Sequence, residues 1–436
     1  MESGKVTPAI GLLQAISPDP SRADEDKLVY LELEQAAKRQ KPFTQALISI
    51  SIPQKECLEQ QVAAHKLAEY ELINTANALQ RAQSVQLQRA LSHRFTQASI
   101  KLFGEPDSEE VEYVLRRIIG ELDGFRTNPV VDPELLEKLI AAYRNILAVS
   151  QSTSDSVFNE READLVAEVL GDYLRVEYAD ALAVFDGDRL QQLTPQQVAT
   201  KLRQALNILK SQDDSWSEWQ VMLTRGMNLA VNAATKRIIV GRQRANLELG
   251  ELKGLFGHEI LVHAKRAQSG ESLGKAFAYG LPGYVHAEEG LGCFVEHALT
   301  GAPPAKMYDR YLDVALALGA YDGAQRTRRE LYKLARARTV VRMQAAGRNF
   351  DQQDIECQTW AHVNRIFRGT LGNDIVGVFT KDIAYYEGYQ KIAAYFIQEV
   401  RSGKTVAEIW REQTCGKFDP TNTSHITYLA EALAEN

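Results

Sequence analysis

At 436 residues the chain is longer than one hydrophobic core usually organises, so it holds one large domain or two. Its 45% hydrophobic and 25% charged residues are those of an ordinary globular protein, and a net charge of -7 argues against a general nucleic-acid binder, which is normally basic. Four widely spaced cysteines (Cys57, Cys293, Cys357 and Cys415) argue against a zinc ribbon or a disulfide framework, and no run approaches the ~18 apolar residues of a membrane span.

In chain order, residues 1–25 are rich in Pro, Ser and Asp and are expected to fray at the start, and Lys27 to Lys41 reads as a helix. Ile48 to Pro53 reads as a short extended piece, followed by one long helix from Gln54 to Phe103 that stops at Gly104. Further helices are predicted at 108–121, 134–149, 159–170 and 195–212. Around KRIIVGRQ (236–243) the pattern changes to a short strand, and its basic flanks predict a sheet edge. Leu249 to Ala267 reads as a helix, Gly280–Gly283 as a turn, and His286 to Leu299 as a second helix. Helices dominate from Lys306 onward, with interruptions near 369–379 and 416–423.

The helix over 249–267 contains GHEILVHAKR, in which His258 and His263 flank Glu259 with one residue more than the H-E-x-x-H of metalloproteases. On a regular α-helix, residues five apart differ by about 140° in direction, against about 40° for residues four apart. A π-bulge absorbs one additional residue per turn and would return both imidazoles to one face. The spacing therefore predicts a distorted helix if the two histidines share a metal ion.

A third ligand is sought in the following helix, because zinc peptidases with two histidines on one helix often take a carboxylate from the next. Glu288, Glu289 and Glu296 are available there, and Glu289 and Glu296, seven apart, share a face. Gly290 and Gly292 weaken that helix and so predict a close approach by another part of the chain. His286 and His297 are the other ligand candidates. Glu259, beside the first histidine, is placed to take a proton from water as a general base.

The combination of GHEILVH, GLPGYVHAEEGLG and FTKDIAYYEG (379–388) resembles the microtubule-associated tyrosine carboxypeptidases and their bacterial QEGLA-motif relatives. ASIKLFG (98–104), VNAATKRIIV (231–240), NRIFRG (364–369) and GKF (416–418) extend the likeness in the same order over most of the chain. The signature for which the relatives are named stands here as Glu288-Glu289-Gly290-Leu291-Gly292. The resemblance implies a zinc carboxypeptidase with His258, His263 and Glu289 as ligands and Glu259 as the base.

A carboxypeptidase must hold a free terminal carboxylate, which favours Arg or Lys. Arg365, Arg368 and Lys381 lie in the family-like motifs and are the candidates, while Tyr385 or Tyr386 is a candidate donor to the developing oxyanion. Arg266, three residues past the second histidine, suits either a substrate contact or structural support. The strand at 236–241 is a candidate for pairing with substrate backbone. The basic run RTRRELYKLARARTVVR (326–342) reads as the solvated face of a helix, with Leu331, Leu334, Val340 and Val341 turned inward. Ser402-Gly403-Lys404-Thr405 lacks the earlier glycine of a phosphate-binding loop.

Together these point to a mainly α (α+β) zincin-like fold with a small sheet beside the active-site helix. The expected division is an N-terminal helical region, 1–105, and a catalytic domain, 106–436. The expected function is a cytoplasmic metallopeptidase with one Zn2+ per chain. It would act on the C-terminal tail of a peptide or protein, the resemblance implying release of aromatic residues, without nucleic-acid or membrane partners. The alternative is a non-catalytic regulatory or binding protein that keeps a structural zinc site.

Overall fold

Side chains that accept hydrogen bonds from nearby backbone N–H groups start several of the helices. A computed structural model describes residues 55–149, 158–347, 352–371 and 374–435. The expectations for 1–25, 27–41 and 48–53 fall outside these residues. The first helices are α1 (Lys55–Leu79), α2 (Val85–Phe103), α3 (Ser108–Gly124), α4 (Pro133–Leu147), α5 (Glu160–Glu177) and the short α6 (Ala179–Ala183). The single long helix expected over 54–103 is in fact two. Ser84 accepts a hydrogen bond from the Leu87 N–H and so starts a new helix where neither Pro nor Gly marks a break.

After β1 (Gln192–Leu193) comes α7 (Pro195–Gln212), which opens on a reciprocal capping box between Thr194 and Gln197 with Pro195 in the first turn. Strands β2 (Gln220–Thr224), β3 (Leu229–Asn232) and β4 (Arg237–Gly241) form a three-stranded sheet in the order β2-β4-β3. β4 is therefore the central strand and not the expected edge, with β2 parallel on one side and β3 antiparallel on the other. The misleading basic residues sit at its ends: Lys236 pairs with Glu218 and Glu271, while Ile238 and Val240 are fully buried. β5 (Leu247–Glu248) pairs with β1 and leads into α8 (Leu249–Phe256), a π-helical segment (Gly257–Ala264) and α9 (Lys265–Leu273).

The remaining helices are α10 (Lys275–Tyr279), α11 (Val285–Thr300), α12 (Ala305–Leu318), α13 (Arg328–Ala345), α14 (Gln352–Ile366), α15 (Ile383–Arg401), α16 (Val406–Gln413) and α17 (Thr423–Glu435). The fold is mainly helical with a small mixed sheet. Among the described residues, no helix is long and apolar enough to cross a membrane.

The chain separates into two units. One is built from Ala68–Val157 and Ala305–Ile383, the other from Phe158–Pro304 and Ala384–Asn436 with the part of α1 up to Leu67. In the first unit Leu72, Ala76, Phe95, Ala98 and Phe379 form an apolar cluster. The basic run on α13 is solvated only in part: Arg329 and Lys333 are exposed, while ion pairs draw two other arginines inward. Arg338 pairs with Asp309 and Asp313, and Arg342 with Glu121 and Asp309. Leu331 and Val341 are buried as expected, but two guanidinium groups go inward with them because acidic partners on α3 and α12 meet them there. In the second unit, Phe277, Leu281, Phe418, Tyr428 and Leu429 belong to an apolar cluster.

Candidate metal centre

Every residue of the centre belongs to the second unit. The π-helix over Gly257–Ala264 supplies the wider turn that the histidine spacing requires, and its last turn closes with the Lys265 N–H donating to the Ile260 carbonyl five residues back. The His258 and His263 rings consequently lie side by side, with centroids 4.7 Å apart. Each ring is oriented from behind by a carboxylate of α11. His258 Nδ1 is 2.6 Å from Glu296 and His263 Nδ1 is 2.9 Å from Glu288. Both Nε2 atoms therefore point at Glu289, whose Oε2 lies 3.5 Å from one and 3.6 Å from the other.

Ligand atoms of His258, His263 and Glu289 all lie within 4.8 Å of one another. Around a tetrahedral zinc ion with bonds of about 2.0–2.1 Å, neighbouring ligand atoms are about 3.3–3.4 Å apart, so the observed separations fit such an ion. The electrostatics agree. Burial opposes charging of His258, yet the carboxylates of Glu289 and Glu296 outweigh it and lift the imidazole pKa to about 10. For His263, burial is likewise overcome by Glu288 and Glu289, and its pKa rises. A group of carboxylates that demands positive charge between two imidazoles is matched by a divalent cation bound to their lone pairs. A second trio, His258, Cys293 and Glu296, meets the same distance test, but the hydrogen bond between His258 Nδ1 and Glu296 already occupies two of its groups.

The two glycines of α11 have separate explanations. A Cβ on Gly292 would lie 2.6 Å from Cε1 and Nε2 of His258, so the missing side chain is the space the imidazole occupies. A Cβ on Gly290 would lie 2.1 Å from the Gly388 carbonyl, so at this point α15 packs backbone to backbone against α11. That contact brings Tyr385 to the centre, its ring centroid 6.3 Å from that of His258.

Behind the ligands lies a buried support centred on Arg266. Arg266 is fully buried, donating to Glu288 at 2.6 Å, to the Gly416 carbonyl at 2.8 Å and to the Phe418 carbonyl at 2.7 Å. Of its two expected roles, the structure gives Arg266 the supporting one. Lys417 adds a second contact to Glu288 at 2.7 Å. Although burial works in the opposite direction, these two cations and His263 hold the Glu288 carboxyl far below the ordinary range. Glu288 is therefore an anionic acceptor that fixes the His263 ring.

Glu259 sits in the π-helix beside the trio. Burial raises its pKa, partly offset by His263 and His258, and its carboxylate accepts no hydrogen bond and forms no ion pair among the described residues. His286 and His297 are elsewhere: His286 lies 3.4 Å from Glu387, and His297 hydrogen-bonds Tyr389. Tyr386 is buried, and its hydroxyl accepts a hydrogen bond from Gln390. Arg365, Arg368 and Lys381 belong to the first unit. There Arg365 forks onto Asp382 at 2.7 and 3.0 Å, Arg368 donates to the Arg365 carbonyl, and Lys381 lies in the 3-10 turn Thr380–Asp382.

Residues 176–434, more than half of the chain, match the family model of the microtubule-associated tyrosine carboxypeptidases. The chain belongs to this family. No curated protein and no solved structure matches it. The span characteristic of microtubule-associated tyrosine carboxypeptidases takes in the π-helix, α11, Arg266, Lys417 and both tyrosines.

Proposed function

We propose that the protein is a zinc-dependent carboxypeptidase that releases residues from the C-terminus of peptides or protein tails. His258, His263 and Glu289 would hold the ion, with Glu296 and Glu288 orienting the two imidazoles. When bound, zinc would supply Lewis acidity toward water and the scissile carbonyl. Glu259 takes the proton of the attacking water and returns it to the departing amine. Tyr385, packed near His258, is the donor best placed to hydrogen-bond the developing oxyanion.

The observation that carries this reading is the Glu259 carboxylate, buried and without a hydrogen bond beside three convergent ligand groups. Burying an unpaired carboxylate costs stability, and a purely structural metal site has no use for it. Family membership supports the carboxypeptidase class, and the donor set supports zinc. The test is to incubate zinc-loaded protein with a library of free-acid peptides and follow the products by mass spectrometry. Stepwise loss from the C-terminus, abolished by a chelator and restored by zinc, is expected. Internal cleavage or intact peptides would overturn the proposal.

A further inference from the structure

Arg244 lies in the turn between β4 and β5, on the path into the helix that carries the histidines. The turn is fixed: the Arg242 N–H donates to the Thr224 carbonyl and the Gln243 N–H to the Gly226 carbonyl, both at 2.9 Å. The Arg244 side chain, in contrast, has no hydrogen bond and no ion pair among the described residues. Its Nε and Nη1 are both enclosed from solvent without an acceptor. The buried guanidinium of Arg266 in the same unit is, by comparison, satisfied by three acceptors. An enclosed cation with two idle donors is costly and calls for a functional explanation.

Its electrostatic surroundings say which site. Burial pushes the Arg244 pKa down, and the charges that oppose this are the carboxylates of Glu251 and Glu259. Arg244 therefore stands in the field of the proposed base without pairing with it, which leaves room for another group. We propose that Arg244 anchors the terminal carboxylate of the substrate. This rests on the carboxypeptidase reading and deepens it. An exopeptidase that removes one residue must hold an anion about one residue length, roughly 3.5 Å of chain, from the bond it cleaves. A planar guanidinium with free N–H groups is the side chain best matched to a carboxylate. The class of substrate is then a chain with a free C-terminal acid, and amidated or internal sequences are refused because the buried cation would stay unpaired.

The test compares zinc-loaded wild type with Arg244→Gln on matched peptides ending in a free acid or an amide. For the acid, kcat/KM should fall by about 10- to 100-fold, the range for a charge-assisted hydrogen bond. The amide rate should hold or rise, since the unpaired cation that disfavours amides is gone, so that the acid preference collapses. An unchanged acid-to-amide ratio would overturn the assignment, including the case where both rates fall together, as they would if Arg244 served the oxyanion. Melting of Arg244→Gln should occur at or above the wild-type temperature, since no contact is lost; a clear drop would assign Arg244 to structure. If the wild type cleaves neither peptide, the carboxypeptidase reading fails, but the inference about Arg244 is still decided by binding. Zinc-loaded Glu259→Gln should then bind the acid more tightly than the amide, and Arg244→Gln in that background should remove the difference. Equal binding of the two peptides, or none, overturns it.

Discussion

Replacing Gly292 by alanine should weaken metal binding while leaving the fold intact. The added Cβ would lie 2.6 Å from Nε2 and Cε1 of His258, against an ordinary contact of about 3.5–4.0 Å between carbon atoms. The ring must then retreat by about 1 Å, roughly half the length of a zinc–nitrogen bond of about 2.0–2.1 Å. It has little room to do so, because Glu296 holds its other nitrogen at 2.6 Å. Overpacking of this kind costs about 1–3 kcal/mol, which corresponds to a loss of about 5- to 150-fold in affinity if it falls on the bound state. Alanine also favours a helix interior over glycine by about 1 kcal/mol, so the metal-free protein should be affected much less. Competition for zinc against a chromogenic chelator measures the affinity, and a melt of chelated protein checks the fold. Affinity within twofold of wild type would refute the argument that Gly292 makes space for a ligand.

Other consequences follow from the supporting groups. Arg266→Met would leave Glu288 with Lys417 and His263 only and strip two carbonyls of their donor, so denaturant unfolding should show a loss of about 3–5 kcal/mol; unchanged stability would contradict its supporting role. His425 is fully buried, and burial lowers its pKa to about 4, while its neutral Nδ1 accepts the Asp419 N–H. Because the folded value lies below the ordinary 6.5, the unfolded chain binds the proton more readily. This contribution to stability is complete above about pH 6.5 and is lost as pH falls toward 4, at about 1.4 kcal/mol per pH unit. His425→Asn should therefore flatten the fall in stability between pH 6.5 and 4, and an identical slope would argue against it.

Local pattern and chemistry made the centre legible. Five-residue spacing of His258 and His263 implied the π-turn, and the unneeded glycines at 290 and 292 implied close approach, which proved to be by the Gly388 backbone in one case and an imidazole in the other. What escaped depended on partners distant in sequence. The choice between the two roles expected of Arg266 is made by carbonyls 150 and 152 residues away, and α13 turns Arg338 inward only because Asp309 and Asp313 meet it. The break between α1 and α2 rests on one serine hydroxyl, too weak a signal to read among helix-forming neighbours. Arg244 is an unremarkable turn residue in the sequence; only the absence of partners around its enclosed nitrogens distinguishes it.

The central claim is that His258, His263 and Glu289 hold zinc so that Glu259 can act as a base. It is tested most directly by measuring bound zinc and C-terminal trimming for wild type and Glu259→Gln side by side. The arrangement predicts one zinc per chain in both proteins and trimming by the wild type alone. Zinc in both with trimming by neither, or equal trimming by both, would contradict it.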